Sequence, residues 1–260
     1  MLEIEKLSYV YPDGHIAIRE IDLKINEGES VALVGANGAG KSSLFKLIIG
    51  ISDIKEGSIK IGGLPVEKKT LKEIRKKVGM VFQNPDDQLF MTKVYDDIAF
   101  GPRNELLSDA EVEERVTGAL EVLGITHLRD RMPHRLSGGE KRVIAIASVL
   151  SMKPEIILFD EPTSFLDPKA RRNVINTLDK LKMTKIIATH DMDMALEICD
   201  RVIIMNQGSV FADGPVEKLL LDEELLLQCS LELPLCMQKL EKLERIKIEQ
   251  NRQSLFSNQI

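Results

Sequence analysis

Nine residues, Gly35 to Ser43 (GANGAGKSS), constrain this chain more than any other stretch. They follow SVALVG, a short β-branched run of the kind that fills a buried parallel strand. They precede SSLFKLIIG, which reads as a helix closed by Gly50. The three glycines Gly35, Gly38 and Gly40 let backbone N–H groups fold inward around an anion, and the helix start adds partial positive charge. The spacing is GxxxxGK[ST], in which Lys41 reaches β- and γ-phosphates and the Ser42 hydroxyl suits magnesium. Asn37 and Ser43 belong to the same cradle.

The rest of the pattern fits around that loop. LEIEKLSYVY and IAIREIDLKI alternate with period two across the turn signal Pro12-Asp13-Gly14, which predicts an antiparallel strand layer. GSIKIGG reads as a further strand, TLKEIRKK as a helix, and KVGMVF as a buried strand. From about residue 84 to 153 the character is helical, with a capping box at Ser108-x-x-Glu111 and a stop at Gly124. EIILFDEP and KIIATHD then bracket a helix with Asp167 as N-cap and Pro168 as its first residue. RVIIMNQGSVFADG predicts a hairpin. Alternating buried strands and helices mean a parallel α/β core. The expected architecture is that core with an N-terminal antiparallel β layer, an inserted helical subdomain and a helical C-terminal extension. Residues 1–220 form the main domain and 221–260 the extension.

EIILFDE supplies the second half of a site. An apolar strand ending in Asp160 places a carboxylate at the C-terminal edge of the sheet, where α/β ligands bind, and an aspartate so placed holds magnesium. Glu161 beside it is a candidate general base for an attacking water. Gln83 and His190 end two other strands, but either could equally be an ordinary loop residue, and Tyr11 could simply pack on a strand. The residues therefore point to a P-loop, magnesium-dependent ATPase or GTPase. No Asn-Lys-x-Asp guanine-reading motif is present, which favours ATP.

Composition narrows the partners. With 43% hydrophobic and 29% charged residues over 260, the chain reads as globular. A net charge of -6 has the wrong sign for a generic nucleic-acid binder. The first residues alternate apolar and charged and lack a signal peptide's apolar run, so a cytoplasmic protein is expected. Cys199, Cys229 and Cys236 form no CxxC pair and are expected to be reduced thiols acting as small hydrophobes.

GANGAGKSS, VFQNPDDQLF, LSGGEKR, ILFDEPTSFLD and IIATHD occur here in one order over roughly residues 2 to 215. Together they resemble the nucleotide-binding subunits of ABC transporters. FQNPDDQLF and THDMDMALEICDRV are similar to the ATPases of energy-coupling-factor importers, the cobalt, nickel and vitamin uptake systems. The resemblance implies adenine stacking by Tyr11, a Q-loop role for Gln83 at magnesium and water, magnesium binding by Asp160, and catalysis by Glu161. It implies a γ-phosphate-sensing His190, a D-loop Asp167, and a signature at Ser137, Gly138 and Gly139 that completes the ATP site of a second chain. The implied partners are a homodimeric or paralogous ATPase and integral membrane subunits at the cytoplasmic face of the membrane, with no nucleic acid. Alternatives are the ATPase of an ordinary ABC importer, or a non-transport ABC ATPase. Two positions depart from the family: Val143 where an arginine is common, with Lys141 and Arg142 before it, and Phe165 where the D-loop is usually small. The extension, with Leu240 and Leu243 on one helical face, is expected either to hold a dimer together or simply to cover the domain.

Overall fold

Strand pairing in this chain follows chain order only in part. The structure, a computed structural model, describes residues 1–238; the helical face expected at Leu240 and Leu243 lies outside the described residues. β1 (Leu2–Val10) and β2 (Ile16–Ile25) pair antiparallel, with Leu2 opposite Ile25 and Ile4 opposite Leu23. β3 (Ser30–Val34) is buried throughout and feeds the glycine loop and α1 (Lys41–Ile48). Gly50 follows with φ +64, the left-handed stop expected after this helix. β4 (Glu56–Ile61) and the two-residue β5 (Leu64–Pro65) return to the first sheet, which is ordered β2-β1-β4-β5. α2 (Leu71–Lys77) then leads into β6 (Val78–Val81).

The insertion consists of α3 (Val94–Asn104), α4 (Asp109–Val122) and α5 (Gly138–Leu150). α4 starts at the expected capping box: the Ser108 hydroxyl takes the Glu111 N–H, and the Glu111 carboxylate takes the Ser108 N–H. β7 (Ile156–Asp160), α6 (Pro168–Lys180), β8 (Thr184–Ala188) and α7 (Met192–Ile198) return the chain to the core. Asp167 caps α6, its Oδ1 accepting the N–H groups of Lys169 and Ala170 at 2.9 Å each. β9 (Arg201–Asn206) and β10 (Ser209–Pro215) form the expected hairpin, and α8 (Val216–Leu219) and α9 (Glu223–Gln228) follow.

The second sheet is ordered β10-β9-β3-β8-β7-β6, parallel except at its β10 edge. Its inner strands β3, β7 and β8, covered on both faces, are buried along their whole length. Val34, Ile157, Phe159 and Ile187 pack towards the inserted helices and α6, while Leu33, Leu158, Ile186 and Ile203 pack towards α1 and the first sheet. Each such side chain contributes about 1.5–3 kcal/mol of burial. Because the parallel strands point one way, the ends of β3, β6, β7 and β8 open on one edge, and the site residues collect there. Among the described residues, no helix is long and apolar enough to cross a membrane.

One expectation needs correction. Cys199 and Cys229 are buried, but Cys236 is exposed. Leu231 takes the core position in that segment, and by Leu235, 69% exposed, the chain runs along the surface.

Candidate functional site

Gly35 and Gly40 are glycines for a steric reason. A Cβ on Gly35 (φ +153) would lie 2.4 Å from the Met205 carbonyl oxygen, and one on Gly40 (φ +105) 2.5 Å from that of Ala17. The loop is thus pressed against β9 and β2, and its residues Asn37 to Ser43 line the cavity at the sheet edge. That cavity, about 430 Å3, is lined by His15, Asn37, Gly38, Lys41, Gln83, Asp160, Glu161, Phe165 and His190 among others. Lys41 is 7% exposed, and its Nζ donates to Gly35 O at 2.6 Å, with His190 Nε2 3.4 Å away. Burial pulls its proton affinity down, opposed by the carboxylates of Glu161 and Asp160.

The Ser42 hydroxyl donates to Asp160 Oδ1 at 3.3 Å. Burial pushes the Asp160 carboxyl above its ordinary range, against the pull of Ser42 and of Lys41, Lys46 and Arg142. Ser42, Asp160 and Gln83 offer oxygen donors around one cavity, a set that suits a hard divalent cation. Glu161 follows at φ +48, with its N–H tied to Ala188 O at 2.8 Å. Its Oε2 accepts from Ser164 Oγ at 3.1 Å and from the His190 N–H at 3.3 Å. Its Oε1 is buried and makes no hydrogen bond, although His190 Nε2 lies 3.3 Å away. The next residue, Asp191, is gripped by Arg171 through two 2.6 Å bonds and by Thr163 at 3.0 Å, so the segment carrying His190 is braced from α6.

The LSGGEKR segment lies elsewhere. Ser137 caps α5, and its hydroxyl donates to Glu140 Oε2 at 2.7 Å, while the Ser137 N–H reaches the same oxygen at 2.8 Å. This is a second capping box, with the same S-x-x-E spacing as Ser108–Glu111, and that spacing was available to reveal it. Gly138 opens the helix. Gly139 has no room for a side chain, since a Cβ would meet Ala170 Cβ at 2.7 Å. Ser137, Gly139 and Asp167 line a separate groove of about 590 Å3 between the insertion and α6. That groove and the P-loop cavity share no lining residue.

Other residues fall where sequence patterns gave little signal. The Tyr11 hydroxyl bonds Ser43 Oγ at 2.9 Å, and its ring stacks on His15 with centroids 6.2 Å apart. Of these two rings, His15 lines the cavity. Phe165 also lines it, 94% exposed on a φ of +63. At the departure in the signature helix, Val143 is buried in the core, and Arg142 turns inward to the carbonyls of Phe82 and Gln83.

Comparison with known proteins finds relatives over most of the chain. The family model described as ABC transporter matches residues 18–164. A Geobacter sulfurreducens protein named for ABC transporter ATP binding is 53% identical, over 92% of this chain and 96% of its own. The energy-coupling factor transporter ATP-binding protein EcfA of Methanothermobacter thermautotrophicus is 46% identical, over 90% of this chain and 77% of its own. Among solved structures, cbiO1 of Clostridium perfringens, described as part of the ABC transporter complex cbiONQ, superposes with a TM-score of 0.79 at 39% identity. That superposition covers 87% of this chain and 93% of cbiO1. Likeness of this depth across nearly the whole domain means that the chain belongs to the ABC transporter family, as one of its ATP-binding, ATP-hydrolysing members.

Proposed function

We propose that this chain is the ATPase subunit of an energy-coupling-factor importer, driving uptake of a micronutrient such as cobalt, nickel or a vitamin at the cytoplasmic face of the membrane. The observation that carries the mechanism is the separation of two half-sites on one chain, a P-loop cavity and a signature groove with no lining residue in common. A complete site then needs a second chain, identical or paralogous, paired head to tail. The N-terminus of α5 favours an anion, and the γ-phosphate held by the facing P-loop is one. The likeness to EcfA and cbiO1 supports the subtype.

Within each composite site the residues divide the work. The amide groups from Asn37 to Ser43 and the Lys41 ammonium hold the phosphates, and the His15 ring, stacked on Tyr11, is offered to the adenine. Ser42, Asp160 and Gln83 would hold Mg2+, which would supply positive charge to the phosphates. Glu161 accepts a proton from the attacking water, and its buried Oε1, free of hydrogen bonds, is the available acceptor. His190 stands between that oxygen and Lys41, a position from which to contact the γ-phosphate. The membrane partner would dock in the apolar groove of about 570 Å3 beside Met80, Phe82, Phe90, Phe100 and Met152, where Phe90 is 62% exposed.

Mixing tests the shared site. Lys41→Ala and Ser137→Arg proteins are each expected to be inactive. Together they should recover about a quarter of wild-type turnover, because half of randomly paired dimers are mixed and each mixed dimer has one intact site. Absence of recovery, with mixed dimers demonstrated by tag capture, would rule out head-to-tail sharing. A small membrane-embedded binding protein captured from native membranes with this chain would support the subtype; capture of only an ordinary permease would overturn it.

A further inference from the structure

One buried charge near the site takes no part in the chemistry above. Arg142 lies one turn into α5, just past Ser137-Gly138-Gly139, and is 2% exposed, the largest fully buried side chain among the described residues. Among the described residues, no carboxylate lies within ion-pair distance of it. Its partners are two carbonyls: Nη1 donates to Phe82 O at 2.7 Å and Nη2 to Gln83 O at 2.5 Å. Its Nε is buried with no partner. Burial disfavours the charged form, and only the fields of Asp160 and Glu161 oppose this. An apolar side chain of similar volume would fill the space without that desolvation, but it would leave the two carbonyls without their donor.

The identity of the two carbonyls is informative. Phe82 O belongs to the peptide plane before Gln83, and Gln83 O to the plane after it. A planar guanidinium fork that holds both fixes the two soft torsions of Gln83, and with them the direction of its Cα–Cβ bond. The same stretch is held to α5 at two further points. The Gln88 side chain takes the Phe82 N–H at 3.1 Å and donates to Ala145 O at 2.8 Å, and Lys141 Nζ meets Asp86 Oδ1 at 2.6 Å. Of the three, only Arg142 grips the residue whose side chain lines the P-loop cavity.

We propose that Arg142 is a positioning residue for ATP hydrolysis, clamping the backbone of Gln83 to the signature helix. Gln83 is thereby presented to its own chain's nucleotide, and displacement of the signature end of α5 is transmitted to that glutamine. The inference rests on the hydrolytic reading above and adds a mechanical connection between the two half-sites of one chain.

Arg142→Met and Arg142→Lys, compared with wild type in the full chain, test it. The methionine variant should melt below wild type yet stay folded at the assay temperature and bind a fluorescent ADP analogue within about threefold, while kcat falls about tenfold or more and KM for ATP moves less. The Mg2+ concentration for half-maximal activity should rise, and amide hydrogens of residues 83–88 should exchange faster without nucleotide. The lysine variant, which keeps the charge but lacks the fork, should fall between the two. A methionine variant with kcat within about twofold of wild type, or with unchanged exchange at 83–88, overturns the proposal. If the methionine variant does not fold, the lysine variant decides: wild-type kcat overturns the clamp, and reduced kcat at an unchanged KM supports it. Wild-type protein that hydrolyses no ATP would sink the hydrolytic reading instead, leaving the exchange measurement to judge the clamp.

Discussion

Glu161 shows how much a single residue is made to bear at this site. Its φ of +48 is a conformation that non-glycine residues rarely adopt, at a cost of about 1–3 kcal/mol. The bond from its N–H to Ala188 O and the occupation of its Oε2 by Ser164 and His190 keep it there. The outcome is a carboxylate with one oxygen locked and one free, which is the arrangement a general base needs. Glu161→Gln preserves the shape and removes the proposed proton acceptor. Turnover should drop by about 10²–10⁴, with ATP affinity within a few-fold of wild type, as read by phosphate release and equilibrium dialysis. Hydrolysis at the wild-type rate would exclude Glu161 as the base.

At the scale of elements, the inserted helices are held by contacts that respond to acid. Arg129, after α4, forks onto Glu113 with bonds of 2.6 and 2.8 Å, and its guanidinium lies 4.6 Å from the centre of the Tyr95 ring on α3. The Arg129 bonds chiefly hold the Glu113 carboxyl down at about 2, from an ordinary 4.5. A depressed carboxyl favours the folded state fully above its unfolded value, and that contribution is lost as pH falls from about 4.5 towards 2. The urea midpoint of wild type should therefore drop more between about pH 5 and about pH 3 than that of Glu113→Gln. Equal drops would show that the pair contributes nothing to the pH dependence.

At the scale of the molecule, symmetry makes a demand on the segment 164–167. Phe165 borders the P-loop cavity and Asp167 borders the signature groove, so this short turn joins the two half-sites of one chain. In a two-fold pair where each cavity faces the other's groove, the turn lies near the axis and meets its own copy. Phe165, 94% exposed and on a left-handed backbone, is then an apolar contact covered only in the pair. Phe165→Ala in a Glu161→Gln background should leave the melting temperature of the monomer intact and weaken ATP-dependent dimerisation about tenfold, equivalent to 1.4 kcal/mol, by sedimentation. Unchanged dimer affinity would place Phe165 away from the axis.

Features determined over a few residues were legible in the chain itself. The glycine loop between strand and helix, the Ser108 and Asp167 caps, the hairpin after Arg201 and the left-handed Gly50 follow from local sterics and backbone hydrogen bonding, which neighbouring residues satisfy among themselves. So did the pairing of Gly35–Ser43 with Asp160-Glu161, since both sit at C-terminal ends of apolar strands in what had to be a parallel sheet. Tertiary structure alone decided the order β10-β9-β3-β8-β7-β6, in which β3 lies between strands from the far end of the chain. It also decided that His15 rather than Tyr11 lines the cavity, that Gly139 is required by Ala170, and that Arg142 is buried against the Q-loop. Each of these depends on which distant surface a residue meets. A run such as LSGGEKR carries the helix start in its own composition, whereas the contacts of its seventh residue are set by the loop after β6, some 60 positions away.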